Sequence, residues 1–412
     1  MIRVAGRWLG RLLALLVLAG AVLWFAVPRT GIDRTIDFSE TDIPADPEAY
    51  ILQREQQFPD IRPGDGKQIV WAAGKGVRTP LAIVYVHGFS ASPAEIRPVP
   101  DRVARELGAN LFFTRLAGHG RDGAAMAGAE AEDWLYDMAE AMAVGRRLGE
   151  RVVVIGTSTG ATLAALAATD PALNGGLAGT VLVSPNFGIH APAQWLLDAP
   201  LVERWGAAVA GEVRSFVPVN DGQARHWTTE YPTSALYPMA RLVRAARAAD
   251  YGAAKVPALV LFSPQDRVID PDRIGPVMAG WAGGVQVVER VLAAGDDPFA
   301  HVLAGEILSP SQTDETVRII TGWTRRPVNE PIVIIPGLLS DAAGLPAADR
   351  ASGRTPPAAH SRCRRRATAW SRCRKPSLPP RRPPSCWSGT GWGAMSRWTS
   401  CGARTGVRRV RC

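Results

Sequence analysis

The chain has 412 residues, 47% of them hydrophobic and 21% charged, with a formal net charge of +9. That make-up excludes a disordered or fibrous chain, and the length allows one sizeable domain with additions. The charge does not signal nucleic acid: residues 328–412 hold 16 Lys/Arg and 3 Asp/Glu, leaving 31 basic and 35 acidic groups, a net of −4, in residues 1–327. All five cysteines (Cys363, Cys373, Cys386, Cys401, Cys412) share that tail, so the body needs no disulfide and has no thiol nucleophile.

In chain order, Arg3, Arg7 and Arg11 precede an apolar run from Leu12 to Val27, with Trp24 and Phe25 near its far end. The run is short against the ~20 residues of a membrane span, but a snorkelling Arg11 lets Trp8 to Gly10 join it. Residues 1–28 therefore read as an amino-terminal anchor meeting the membrane through residues 8–27. The leading arginines favour a cytoplasmic start and an extracytoplasmic body. The alternative is a signal peptide cleaved near Ala19-Gly20-Ala21, which would secrete the body. Residues 29–65 read as an irregular polar approach segment.

From 66 to 327 the pattern alternates. Short apolar runs fall at Ile69–Trp71, Leu81–Val86, Leu111–Phe113, Val152–Ile155, Thr180–Val183, Ala258–Phe262 and Val285–Val291. Helical patterns fall at 97–107, 131–148, 159–169 and 313–324. This predicts the α/β class, with a mostly parallel sheet covered by helices on both faces. In such sheets reactive groups gather beyond the carboxyl ends of the strands.

One strand end draws attention, in VVVIGTSTGATLAALAA (residues 152–168). Gly156 and Gly160 remove side chains from the flanks of a sharp strand-to-helix turn, and Ser158 is lifted with its hydroxyl exposed. The following helix points its first N–H groups at the same place and favours negative charge there. The pattern reads as a nucleophile.

At this elbow the sequence resembles the α/β-hydrolase family, most like the bacterial carboxylesterases and monoacylglycerol lipases, over about residues 66–325. His87-Gly88-Phe89-Ser90, after the strand LAIVYV, looks like the family's His-Gly loop. Arg115-Leu116-Ala117-Gly118-His119-Gly120 looks like its R-x-x-G-H-G loop, with His119 structural. The resemblance implies that the N–H groups of Phe89 and Thr159 hold the oxyanion. It also implies that residues 188–252, rich in Trp and Tyr, form a helical cap over the serine.

The family order is serine, then acid, then histidine. His87, His119, His190 and His226 are accounted for by motifs or lie too early, which leaves His301 and, in the anomalous tail, His360; His301 in GDDPFAHVL is the expected base. Asp266, just after VPALVLFSP, is the expected acid, and its neighbours Asp270 and Asp272 read as turn and capping residues. The implied activity is hydrolysis of a small-molecule or lipid ester with an apolar acyl group, through an acyl-enzyme on Ser158. A lipid acyltransferase, a serine peptidase and a non-catalytic binding module remain open on the same scaffold. No cofactor, no metal and no nucleic acid is expected, since the body has no phosphate-loop, dinucleotide or metal-spaced motif.

The tail opens on NEPIVIIPGLLSDAAGL, which looks like the first strand and loop of another such module, then collapses into Arg, Pro, Ser, Cys and Trp. Back-translated with GC-rich codons and read two bases later, residues 385–402 yield VLVGHGMGGYVAVDIL. Residues 328–412 thus read as a basic tail of low order, the frameshifted remnant of a second hydrolase module, with no function of its own.

Overall fold

The computed structural model describes residues 2–36, 38 and 40–326; His360, the five cysteines and the tail motif lie outside the described residues. Helix α1 (Ile2–Ala26) comes first, followed by α2 (Pro47–Glu55), which Asp46 caps by accepting the N–H groups of Glu48 and Ala49. Strand β1 (Gln68–Val70) and β2 (Thr79–Val86) lead to α3 (Val99–Leu107) and β3 (Asn110–Phe113). Then come α4 (Gly123–Ala127), α5 (Ala131–Leu148), β4 (Gly149–Thr157), α6 (Thr159–Thr169) and β5 (Leu177–Val183). An excursion carries α7 (Val202–Ala210), β6 (Val213–Ser215), α8 (Asp221–His226), β7 (Glu230–Pro232) and α9 (Leu236–Arg247). The chain returns through β8 (Ala258–Phe262), α10 (Ile274–Ala279), β9 (Val285–Glu289) and α11 (Thr313–Thr324).

Seven strands form one sheet in the order β1-β3-β2-β4-β5-β8-β9. Only β1 runs antiparallel to its neighbour; the remaining pairs are parallel. Because side chains alternate along a strand, β4 feeds two cores at once. Val152 and Val154 join an apolar cluster with α5, α6 and α9, while Val153 and Ile155 join the one under α3 and α11. This is why the central strands read as unbroken apolar runs.

The polar segment at 29–65 is more than an approach: Ile43 and Ile51 are 1% and 2% exposed and belong to the main core. Its acidic residues also reach the body, as shown below. The excursion at 188–252, expected as a cap, also contributes to the body. Its helix α9 lies on α6, and Met239, Leu242, Val243 and Ala246 are core residues of the body.

Among the described residues no helix is long and apolar enough to cross a membrane, which corrects the expected single-pass span. In α1 the arginines occupy the first three turns. At 1.5 Å per residue the stretch after Arg11, Leu12–Ala26, extends only about 22 Å, against a hydrocarbon core of ~30 Å. The guanidinium of Arg11 lies 5.3 Å over the Trp8 ring, one turn back. Leu12, Leu13, Leu15, Val17, Leu18, Val22 and Phe25 are all more than half exposed. The far end of α1 is fastened to the cap: the Trp24 and Trp195 rings are 5.8 Å apart, and Arg29 Nε donates to the Asp198 carbonyl at 3.0 Å.

Candidate active site

Strand β4 turns into α6 at Ser158, whose backbone sits at φ 52°, ψ −116°. Side chains rarely adopt that region, so the strain is carried by the serine itself. The flanking glycines serve close approach instead. A Cβ on Gly156 would meet the Gly160 carbonyl oxygen at 2.5 Å, and one on Gly160 would meet the Val86 oxygen at 2.1 Å. Elbow and His-Gly loop can touch only because position 160 has no side chain. Gly160→Ala is therefore expected to cost about 3 kcal/mol of stability or more. Urea unfolding with an unchanged slope would show it as a lower midpoint.

The end of β5 holds two parts of the site together. The Ser158 N–H donates to the Val183 carbonyl at 2.9 Å, and the hydroxyl of the next residue, Ser184, donates to the His301 carbonyl at 2.7 Å. The His301 turn is capped by Asp297, whose Oδ2 accepts the N–H groups of His301 and Val302 at 3.0 and 2.8 Å. His301 Nδ1 lies 2.8 Å from Asp266 Oδ2, while Asp266 Oδ1 accepts the N–H groups of Val268 and Ile269 at 2.8 and 2.9 Å. An ionised carboxylate can only accept, so the imidazole proton sits on Nδ1 and the Nε2 lone pair is left available. Burial alone would lower the pKa of His301; the Asp266 carboxylate, assisted by Glu95 and Asp297, outweighs it and raises the pKa.

The His-Gly loop is held by His87. Its Nδ1 donates to the Gly88 carbonyl at 2.8 Å and its Nε2 accepts the Leu116 N–H at 3.1 Å, an arrangement that needs the neutral ring. Burial pushes its pKa well below the ordinary value. The Leu116 loop is tied down in turn: Arg115 pairs with Glu55 of α2 at 2.8 Å, and the Ala117 N–H donates to Asp137 at 2.6 Å. Phe89 stacks edge-on against Tyr231 of the cap at 5.4 Å, so the cap reaches the loop.

The sequence and the fold are also similar to those of known proteins. Residues 79–282 match the family model described as serine aminopeptidase, S33. The chain is 24% identical over 213 residues to a thermostable monoacylglycerol lipase of Bacillus sp. (strain H-257), covering 52% of this chain and 81% of that one. A solved structure from work on LipS and LipT, two metagenome-derived lipolytic enzymes, superposes with a TM-score of 0.53 at 20% identity, over 65% of this chain and all of that one. The chain has the α/β-hydrolase fold. Its likeness lies with the lipases and esterases of that fold.

In this α/β-hydrolase fold, Ser158, His301 and Asp266 all follow the carboxyl ends of strands, beyond β4, β9 and β8. The other described histidines have different surroundings. His119 is buried between His87, Phe89 and Trp134, and its pKa is lowered to about 4, chiefly by burial. His226 Nδ1 lies 2.6 Å from Asp65 Oδ1, and His190 donates its N–H to the Val268 carbonyl. Asp270 accepts the Asp272 N–H at 3.2 Å, the turn role expected of it. Among the described residues no group of three or more His, Cys, Asp or Glu is placed to hold a metal ion. Sequence reasoning missed Glu95, Ser184 and Asp297, which no motif marks. Asp297 had one legible sign: an acidic residue four positions before the candidate base, in a loop.

Proposed function

We propose that the protein cleaves carboxylic esters with Ser158 as nucleophile, His301 as base and Asp266 as the acid that orients it. The observation that carries this reading is the Asp266–His301 hydrogen bond, made at the strand edge from which the Ser158 elbow rises. Ser158 Oγ attacks the acyl carbonyl as its proton passes to His301 Nε2. The carbonyl electron pair moves onto oxygen, facing the N–H groups of Phe89 and Thr159. Collapse expels the alcohol, which takes the proton from His301; water then attacks the acyl-enzyme by the same steps in reverse order. The contact of Gly160 with the Val86 and His87 carbonyls brings the two oxyanion amides toward one another and supports their shared role.

The ester reading is supported by likeness to a monoacylglycerol lipase. The aminopeptidase description of the matching family favours a second reading, amide cleavage at a peptide's amino end. A panel of p-nitrophenyl esters of rising chain length, run beside amino-acid p-nitroanilides, separates the two. Turnover of medium-chain esters with inert anilides is expected; the reverse result overturns the ester reading.

Helix α1 is proposed to attach the protein to a membrane surface by burying its exposed apolar side chains among lipid head groups and upper acyl chains. Its Arg11–Trp8 and Arg29–Trp24 pairs, 5.3 and 5.0 Å, place a cation and an indole at each end of the apolar stretch. Removal of residues 2–26 is expected to move the protein from the membrane fraction to the supernatant. Equal partitioning of both forms would reject the attachment.

A further inference from the structure

Seven residues beyond Gly88 lies a carboxylate that the mechanism above does not use. Glu95 is 2% exposed. Its Oε2 accepts the Gly88 N–H at 2.8 Å and the Tyr85 hydroxyl at 2.9 Å, and Tyr85 is itself paired with Thr157 of the elbow at 3.2 Å. Its Oε1 is turned toward the elbow. The point where a Gly88 side chain would begin is 2.8 Å from Glu95 Oε1 and 3.1 Å from Ser158 Cβ. A side chain at position 88 would therefore meet both the carboxylate and the candidate nucleophile. The segment also touches the base's own loop: the Glu306 N–H donates to the Arg97 carbonyl at 2.9 Å, and Gly305 packs on Ile96 and Glu95.

A buried carboxylate is costly unless it is used or paired. Two neutral donors satisfy one oxygen of Glu95, and no cation is bonded to it among the described residues. The titratable groups that face it are Tyr85 from β2 and His301, and His301 in turn faces Asp266 and Asp297. We propose that Glu95 is a positioning residue of the reaction: it fixes the His-Gly loop through Gly88 N–H so that the next amide, that of Phe89, meets the oxyanion, and it supplies negative potential that favours the His301 imidazolium formed as Ser158 attacks. The assignment rests on the Ser158–His301 reading above. Burial pushes the Glu95 carboxyl up, and the Gly88 amide, the Tyr85 hydroxyl and the His301 charge pull it back.

Two variants divide the roles. Glu95→Gln keeps an acceptor for Gly88 and Tyr85 but removes the charge; Glu95→Ala removes both. With the charge gone, the pKa of His301 falls, so the acidic limb of kcat/KM against pH is expected to move down by about half a unit in Glu95→Gln, with KM within twofold of the parent. Glu95→Ala shows the same shift and, with its oxyanion loop loosened, a further drop in kcat of about 100-fold. An acidic limb that stays in place in both variants, or a loss confined to thermal stability, overturns the proposal. Failure of the underlying reading looks different: ester turnover would then survive Ser158→Ala in the otherwise unaltered chain.

Discussion

Ser158→Ala is expected to lower ester turnover by about 10⁴-fold or more and to abolish labelling by a fluorophosphonate probe. The substitution removes one oxygen from a residue that is 5% exposed and leaves its backbone bonds to Val183, Thr162 and Asn186 intact. Alanine meets the same steric objection to φ 52° as serine does, so the fold and its melting point should hardly change. Loss of activity without loss of structure then isolates the hydroxyl. Residues that act as one unit are not additive, so adding His301→Ala to Ser158→Ala is expected to cost almost nothing more. Turnover and probe labelling on the purified full chain check both statements; activity within tenfold of the parent after Ser158→Ala would remove the serine from the mechanism.

Asp266→Asn is expected to lower kcat by about 10⁴-fold through the wrong imidazole tautomer. The amide oxygen must keep accepting the N–H groups of Val268 and Ile269, which turns the NH2 group toward His301 Nδ1. That nitrogen then has to accept, and the proton moves to Nε2, where the base is needed. The pH profile carries a second sign. The base works as neutral imidazole, so activity rises with pH through the pKa of His301. With the pKa of His301 raised above its ordinary 6.5 against the effect of burial, chiefly by Asp266, the acidic limb of the parent is expected above that value. Once the carboxylate is gone, burial prevails and the residual activity should persist to lower pH. A pH–rate profile of the variant, recorded with the parent's, tests the direction; an unmoved limb would mean that Asp266 does not face the working base.

Much of the fold was legible because periodicity carries it. The helical patterns at 131–148 and 159–169 match α5 and α6 to the residue, and the apolar runs fall within or beside the strands that form the sheet. The elbow was legible because close approach demands glycine, and glycine shows in a sequence. What escaped was whatever depends on contacts between distant segments. Ile43 and Ile51 are core residues inside a segment too polar to announce them, and β6 and β7 are three-residue strands that stand only by pairing with each other. Glu95 escaped for a related reason. A glutamate in a surface-like Ser-Pro-Ala-Glu turn looks solvated until the loop folds it inward beside Gly88. The expected membrane span failed on length, since arginines that could have snorkelled instead shorten the apolar stretch.

The fastening of α1 to the cap through Trp24–Trp195 and Arg29–Asp198 has a mechanical consequence. Because these contacts join the two segments, a displacement of the 194–198 turn is expected to move the end of α1 with it. Tyr231 of the cap rests on Phe89. Both fastenings thus fall on one excursion of the chain: its 194–198 turn holds the end of α1, and its Tyr231 holds the ring of Phe89.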